Sequence, residues 1–222
     1  ASDVYKRQVH YYLYALTNDK SELDTAENSE SLYCFPNRLE DIAVLEKAIY
    51  NGGNYAAYYL GCLFYDRGRW EESKELWEKC ADNIKLPTVY RNLSLVYYNK
   101  LKDGVLAIKA MEKAFSIDKS DARIFFELDQ LYKTLNFSLE KRLANMNENS
   151  DLLEKRDDLY TEYITLLNMN GEYDNAYNRI MNHNFHPWEG GEGKIPAQYR
   201  IALINKAKAC LLYTSDAADD LI

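Results

Sequence analysis

The sequence predicts an all-α fold of repeated helical hairpins, and three observations predict it. Residues of one helix face return at intervals of about 34 positions: Ser73, Trp77 and Cys80 come back as Ala107, Met111 and Ala114. Each set reads small, large, small at spacings of four and three, which is one face of a helix. Segments of helical period fill the intervals, and Pro87, Pro187 and Pro196 fall at their boundaries rather than inside them.

The elements follow in order. AAYYLGCLFYDRG precedes the Ser73 face, and VYRNLSLVYYNK precedes the Ala107 face. RIFFELDQLYKTL and LYTEYITLLNMNG continue the series, with Leu128 and Tyr163 in equivalent places. This divides the chain into repeats at 54–87, 88–120, 121–155 and 156–184, a linking loop at 185–195 and the start of a further helix at 196–209. The second repeat carries one extra residue before its second helix. The third has Lys141 where the second helix should begin with a small residue. Close approach of the two helices requires Gly, Ser or Ala at one contact, and each hairpin leaves an apolar face that only its neighbour covers. Pro87 and Pro196 suit a first helical turn, and Asp151-x-x-Glu154 has the spacing of a capping box.

Composition excludes several functions. The 222 residues are 47% apolar and 28% charged, with a net charge of −8 and a mean hydropathy of −0.51. Such an acidic chain lacks the basic footprint of a nucleic-acid binder. No apolar run reaches the roughly 18 residues of a membrane span, and the N-terminus has no signal-peptide core. Cys34, Cys62, Cys80 and Cys210 form no CxxC pair and no metal spacing, which points to a reduced, cytoplasmic protein.

The two ends read differently from the interior. ASDVYKRQ back-translates to GCG TCA GAT GTG TAT AAG AGA CAG, which resembles the transposase-end adapter of shotgun sequencing libraries. CLLYTSDA back-translates to the reverse complement of that string, entered one base late. Residues 1–8 and 210–222 are therefore expected to be adapter translation, and 9–209 to be a fragment of a longer chain. The ends contribute +1 (Asp3, Lys6, Arg7) and −3 (Asp216, Asp219, Asp220), so the interior carries −6 and stays acidic.

Leu60, Gly61, Phe64, Gly68, Trp70, Ser73, Trp77 and Cys80 together resemble the tetratricopeptide repeat. Tyr163, Leu167, Gly171, Tyr173, Ala176 and Ile180 fill the same slots in the fourth hairpin. The resemblance implies a right-handed superhelical solenoid of about four to five repeats. A closer likeness lies in longer strings: YCFPNRLEDIAVLEKAIYN, YYLGCLFYDRGRWEESKELWEKC, EKRDDLYTEYITLLN and FHPWEGGEGK. In that order they resemble large bacterial tetratricopeptide proteins that begin with a domain of unknown function numbered 5107, a β-sandwich similar to galactose mutarotases. That domain is absent from this chain, so the likeness implies a carbohydrate-related parent and supplies no catalytic residue here.

The stretch FHPWEGGEGK holds the most chemistry: Phe185, His186, Trp188, Glu189, Gly190, Gly191, Glu192, Gly193 and Lys194. It is not a phosphate loop, because Trp188 and Ile195 stand where a Walker motif needs Gly and Ser or Thr. His183-x-x-His186 with Glu189 and Glu192 lacks the Cys that structural zinc sites normally add, so no metal or cofactor is expected. Paired carboxylates serve glycosidases, yet nothing in the sequence raises the pKa of Glu189 or Glu192. No nucleophilic triad is visible, and no catalytic residue is assigned. The concave face is the better candidate. Its tetratricopeptide slots hold Tyr55, Tyr58 and Tyr65, then Arg91, Tyr98 and Asn99, then Arg123, Phe126, Gln130 and Lys133. This is an aromatic and cationic strip on an acidic protein, and it differs from the Lys/Asn clamp that reads C-terminal carboxylates.

Aromatic anchors and arginine dominate protein interfaces. The leading expectation is a non-catalytic scaffold that docks a protein segment or the parent's own β-sandwich. The alternatives are a helical accessory part whose 185–194 loop completes a glycan-processing active site on the missing domain, and direct saccharide binding by the tyrosines.

Overall fold

A computed structural model describes residues 6–29 and 35–219, with side chains placed through residue 209. The described residues form α-helices and one 3-10 turn and contain no strand. They divide into two compact units, Ala1–Asp118 and Lys119–Ile222.

The first unit contains α1 (Lys6–Thr17), α2 (Lys20–Glu27), α3 (Leu39–Tyr50), α4 (Asn54–Asp66), α5 (Trp70–Ile84), α6 (Pro87–Asn99) and α7 (Gly104–Ile117). In the α4–α5 hairpin the Ser73 hydroxyl donates to the Gly61 carbonyl at 2.8 Å. The buried Trp77 indole N–H donates to the Tyr58 carbonyl at 3.1 Å. In the α6–α7 hairpin the Ser94 hydroxyl donates to the Ala107 carbonyl at 2.8 Å. Small residues thus bring the two helices of each hairpin together, and a hydroxyl crosses the contact without an orphaned polar atom. Pro87 opens α6, where its missing N–H costs nothing.

The sequence shows no repeat before residue 54, yet α1 and α2 pack on each other and α3 packs on both α1 and α4. One carboxylate ties this part to the repeats, and a second ties its own helices together. Glu27 accepts the backbone N–H groups of Asn54, Tyr55 and Ala56 at 2.8, 2.8 and 3.1 Å, so it caps α4 from the preceding hairpin. The buried Asp41 accepts from Asn37 N at 3.0 Å, Arg38 N at 2.8 Å and the Tyr12 hydroxyl at 2.7 Å.

The second unit contains α8 (Ala122–Thr134), α9 (Leu139–Glu148), the 3-10 turn Ser150–Lys155, α10 (Asp157–Met169), α11 (Tyr173–Asn182) and α12 (Lys194–Asp219). At the contact where the first unit places Ser94 and Ala107, the α8–α9 hairpin places Asp129 and Arg142. Both are buried, at 0% and 5% exposure. Arg142 Nε and a terminal guanidinium nitrogen donate to the two Asp129 oxygens at 3.0 and 2.7 Å. Lys141, which the sequence assigns to the small-residue slot, is instead exposed. Its ammonium lies 4.3 Å from the Phe137 ring centroid.

Asp151 and Glu154 form no capping box. They lie exposed on the 3-10 turn, and α10 begins at Asp157. The caps are Asp121 for α8, accepting from Arg123 N at 2.8 Å, and Ser138 for α9, accepting from Lys141 N at 3.2 Å. The last helix, α12, packs on α10 and α11. Asn168 Nδ2 donates to the Gln198 carbonyl at 3.1 Å. Among the described residues no helix is long and apolar enough to cross a membrane.

Candidate functional site

In the first unit α4 and α6 hold six of the candidate residues. Tyr65 lies half-buried with its ring 5.8 Å from that of Trp77. Beside it a recess of about 100 Å³ opens between the helices, lined by Cys62, Tyr65, Trp77, Asn92 and Leu95. Arg91 and Tyr98 are half-buried and Asn99 is exposed. Tyr55 is also half-buried, beneath the Arg7 guanidinium at 4.1 Å.

Tyr58 departs from the expectation. It is 3% exposed and packs 5.1 Å from the Tyr59 ring, with Phe35 edge-on at 6.4 Å. Its slot on α4 turns into the core, so Tyr58 faces no ligand. The sequence reading omits Asn92 and Leu95, although Leu95 occupies in α6 the slot that Cys62 occupies in α4. Burial pushes the Cys62 and Cys80 thiols up to about 12, so neither supplies a thiolate near neutral pH. Cys34 lies outside the described residues.

In the second unit the α8 face is charged but internally answered. Arg123 is exposed and donates to Glu127 at 3.2 Å. Lys133 is exposed and reaches both oxygens of Glu162 on α10, at 2.8 and 3.0 Å. Glu162 also accepts from Arg142 at 2.8 Å. Burial raises the pKa of the Glu162 carboxyl, but Lys133 and Arg142 outweigh it and hold the group below its usual 4.5. Burial pushes the Asp129 carboxyl up, against the pull of Arg142. Phe126 is half-buried, with the Arg156 guanidinium 5.9 Å from its ring, and Gln130 is half-buried. The cations expected to meet a ligand are thus paired by acids of α8 and α10, and the strip is not a free cationic one.

The loop between α11 and α12 is organised around one carboxylate. His183 Nε2 lies 2.7 Å from Asp157 Oδ1. The His186 backbone N–H donates to Oδ2 at 2.7 Å, and its ring Nδ1 lies 3.2 Å from the same oxygen. Partial burial works against the Asp157 charge, but the His183 and His186 contacts hold its pKa below the usual 3.8. The His183 ring stacks on Tyr160 at 4.1 Å, and Phe185 packs edge-on to it at 4.5 Å. Trp188 lies flat against Gly191, where a Cβ would come within 2.5 Å of the indole. Gly190 and Gly193 hold left-handed φ of 75° and 74° that other residues rarely adopt. Glu189, Glu192 and Lys194 are exposed. The glycines serve two consecutive turns, and the histidines serve Asp157. Among the described residues no group of three or more His, Cys, Asp or Glu is arranged to hold a metal ion.

No family model matches the chain. Solved structures resemble it in fold. A tetratricopeptide repeat protein from Parabacteroides merdae superposes with a TM-score of 0.53 at 14% identity, covering 95% of this chain and 80% of that one. YrrB, described as a TPR protein with an unusual peptide-binding site, gives 0.51 at 15% identity over 89% and 90%. The MamA protein gives 0.51 at 14% identity over 93% and 94%. At these identities the likeness concerns the fold alone: the chain has the all-α, tetratricopeptide-like helical-hairpin fold.

Proposed function

We propose that the chain is a non-catalytic interaction module whose α4–α6 face docks an extended protein segment. The observation that carries this reading is the recess between Cys62, Tyr65, Asn92 and Leu95, flanked by the half-buried Arg91 and Tyr98. An apolar pocket with an amide at its edge and aromatic and arginine flanks suits a side-chain anchor of a peptide. The peptide-binding site named for YrrB is consistent with such a use of the fold. The 9–209 interior would belong to a larger protein linked to carbohydrate processing, docking a partner or the parent's own β-sandwich. The string resemblance supports that link, and an amplified source locus would test it.

Extended peptides selected from a displayed library on the wild-type chain test the face. They should bind a Tyr65→Ala, Asn92→Ala variant about tenfold or more weakly, the loss typical of interface anchors. Equal binding to both would overturn the reading.

A further inference from the structure

We propose that the first unit carries a second docking groove, on the face of α3 and α5, and that it takes an amphipathic helix bearing lysine or arginine. The groove measures about 480 Å³. Its floor is Leu60 and Phe64 of α4, and its walls are Ile49, Tyr50 and Leu76. Tyr50 is 91% exposed, leaving a whole aromatic ring uncovered at the wall. Glu46 on α3 and Glu75 on α5 line the same groove from opposite helices, with Glu72 and Lys79 beside them.

The repeat provides an internal control. The same groove recurs between α5 and α7 over α6, where Leu93 and Tyr97 replace Leu60 and Phe64. There the acids are already used: the Tyr97 hydroxyl donates to Glu78 at 2.7 Å and the Tyr90 hydroxyl to Asp82 at 2.6 Å. Lys109 and Lys113 balance the charge, and Ala110 stands where the first groove has Leu76. In the first groove Phe64 has no hydroxyl to offer. Glu46 and Glu75 form no hydrogen bond or ion pair among the described residues.

The chain itself shows which group fits. The Arg69 guanidinium lies 3.7 Å over the Phe64 ring and is held there by Glu72. An aromatic face beside a carboxylate is a cation site. Tyr50 with Glu46 and Glu75 offers the same pairing: among the described residues no cation lies over the Tyr50 ring, and Arg69 and Lys79, which border the groove, form no ion pair with either carboxylate. An apolar floor between acidic walls matches the helix-in-groove mode, with a Leu or Ile face turned down and basic residues on its flanks. This surface is separate from the α4–α6 face.

A fluorescent peptide with the sequence of residues 194–209, KIPAQYRIALINKAKA, serves as probe, because it carries four cations, no carboxylate and an Ile/Leu face. Its binding should fall with added salt. It should also weaken about tenfold in Glu46→Gln, Glu75→Gln, the sum of two exposed ion pairs. The Tyr65→Ala, Asn92→Ala variant should bind it unchanged, so failure here is distinguishable from failure of the peptide-face reading. Thermal melting checks that both variants stay folded. No binding, equal binding to the Glu46/Glu75 variant, or equal binding of a probe with its four cations replaced by glutamine would overturn the proposal. Self-association of the wild type without peptide, abolished by Glu46→Gln, Glu75→Gln, would make the occupant a second copy and overturn the assignment of a foreign helix.

Discussion

Gly61→Ala sets two effects of opposite sign against each other. Alanine in a helix interior is favoured over glycine by about 1 kcal/mol, so propensity alone stabilises the variant. The added Cβ, however, would sit 2.5 Å from Trp77 Nε1 and 2.7 Å from its Cδ1. The indole must retreat by about 1 Å to reach ordinary contact, a kind of overpacking that costs about 1–3 kcal/mol. Its movement also stretches the 3.1 Å hydrogen bond to the Tyr58 carbonyl and orphans a buried N–H, at about 1–3 kcal/mol. The clash wins, and we expect a net loss of about 1–5 kcal/mol in urea unfolding at neutral pH. With Trp70 and Trp188 changed to phenylalanine, Trp77 emission should shift in the same variant. In a Trp77→Leu background the sign should reverse, because the obstacle is gone. A Gly61→Ala chain about 1 kcal/mol more stable than wild type would show that propensity alone operates, refuting the hairpin contact.

Arg142→Ala leaves the Asp129 carboxylate buried without its partner and should cost about 3–5 kcal/mol in the same unfolding assay. Asp129→Ser, Arg142→Ala copies the Ser94–Ala107 contact and should be more stable than Arg142→Ala alone; equal stability would show that the pair is not the source of the loss. Asp157 has a folded pKa below its ordinary 3.8, so its stabilising contribution is complete above that value and disappears as pH falls through the folded one. Asp157→Asn should therefore speed limited proteolysis of the 183–193 loop at neutral pH, with the difference from wild type vanishing in acid; a constant difference at all pH values would disprove the charge-based clasp.

The hairpins were legible because their contacts are local in the repeat. Ser73, Trp77 and Cys80, and later Ala107, Met111 and Ala114, are all buried as their shared spacing requires. What escaped was whatever depends on a partner outside the repeat. Arg142 reads as a surface residue unless Asp129 is known to face it, and Lys141 next to it is the more obvious departure. Asp151 and Glu154 have capping-box spacing, but the segment winds as a 3-10 turn and the helix starts later. On the candidate face, slot numbers identified the half-buried Tyr65 and Arg91. They could not reveal that Tyr58 rotates into an aromatic cluster, nor that Glu127 and Glu162 neutralise the cations of α8. The loop looked enzymatic because glycine, histidine and tryptophan are rare elsewhere in the chain. In place they make two turns and a clasp.

Glu27 has a further implication. Repeat logic draws a natural boundary at residue 54, yet the three amides that open α4 are satisfied by a carboxylate from the hairpin before it. A recombination that joined foreign sequence at Asn54 would leave the most regular repeat of the chain with its first turn bare. The piece of this protein that can be exchanged, transplanted or inherited intact is therefore larger than the repeat that makes it recognisable.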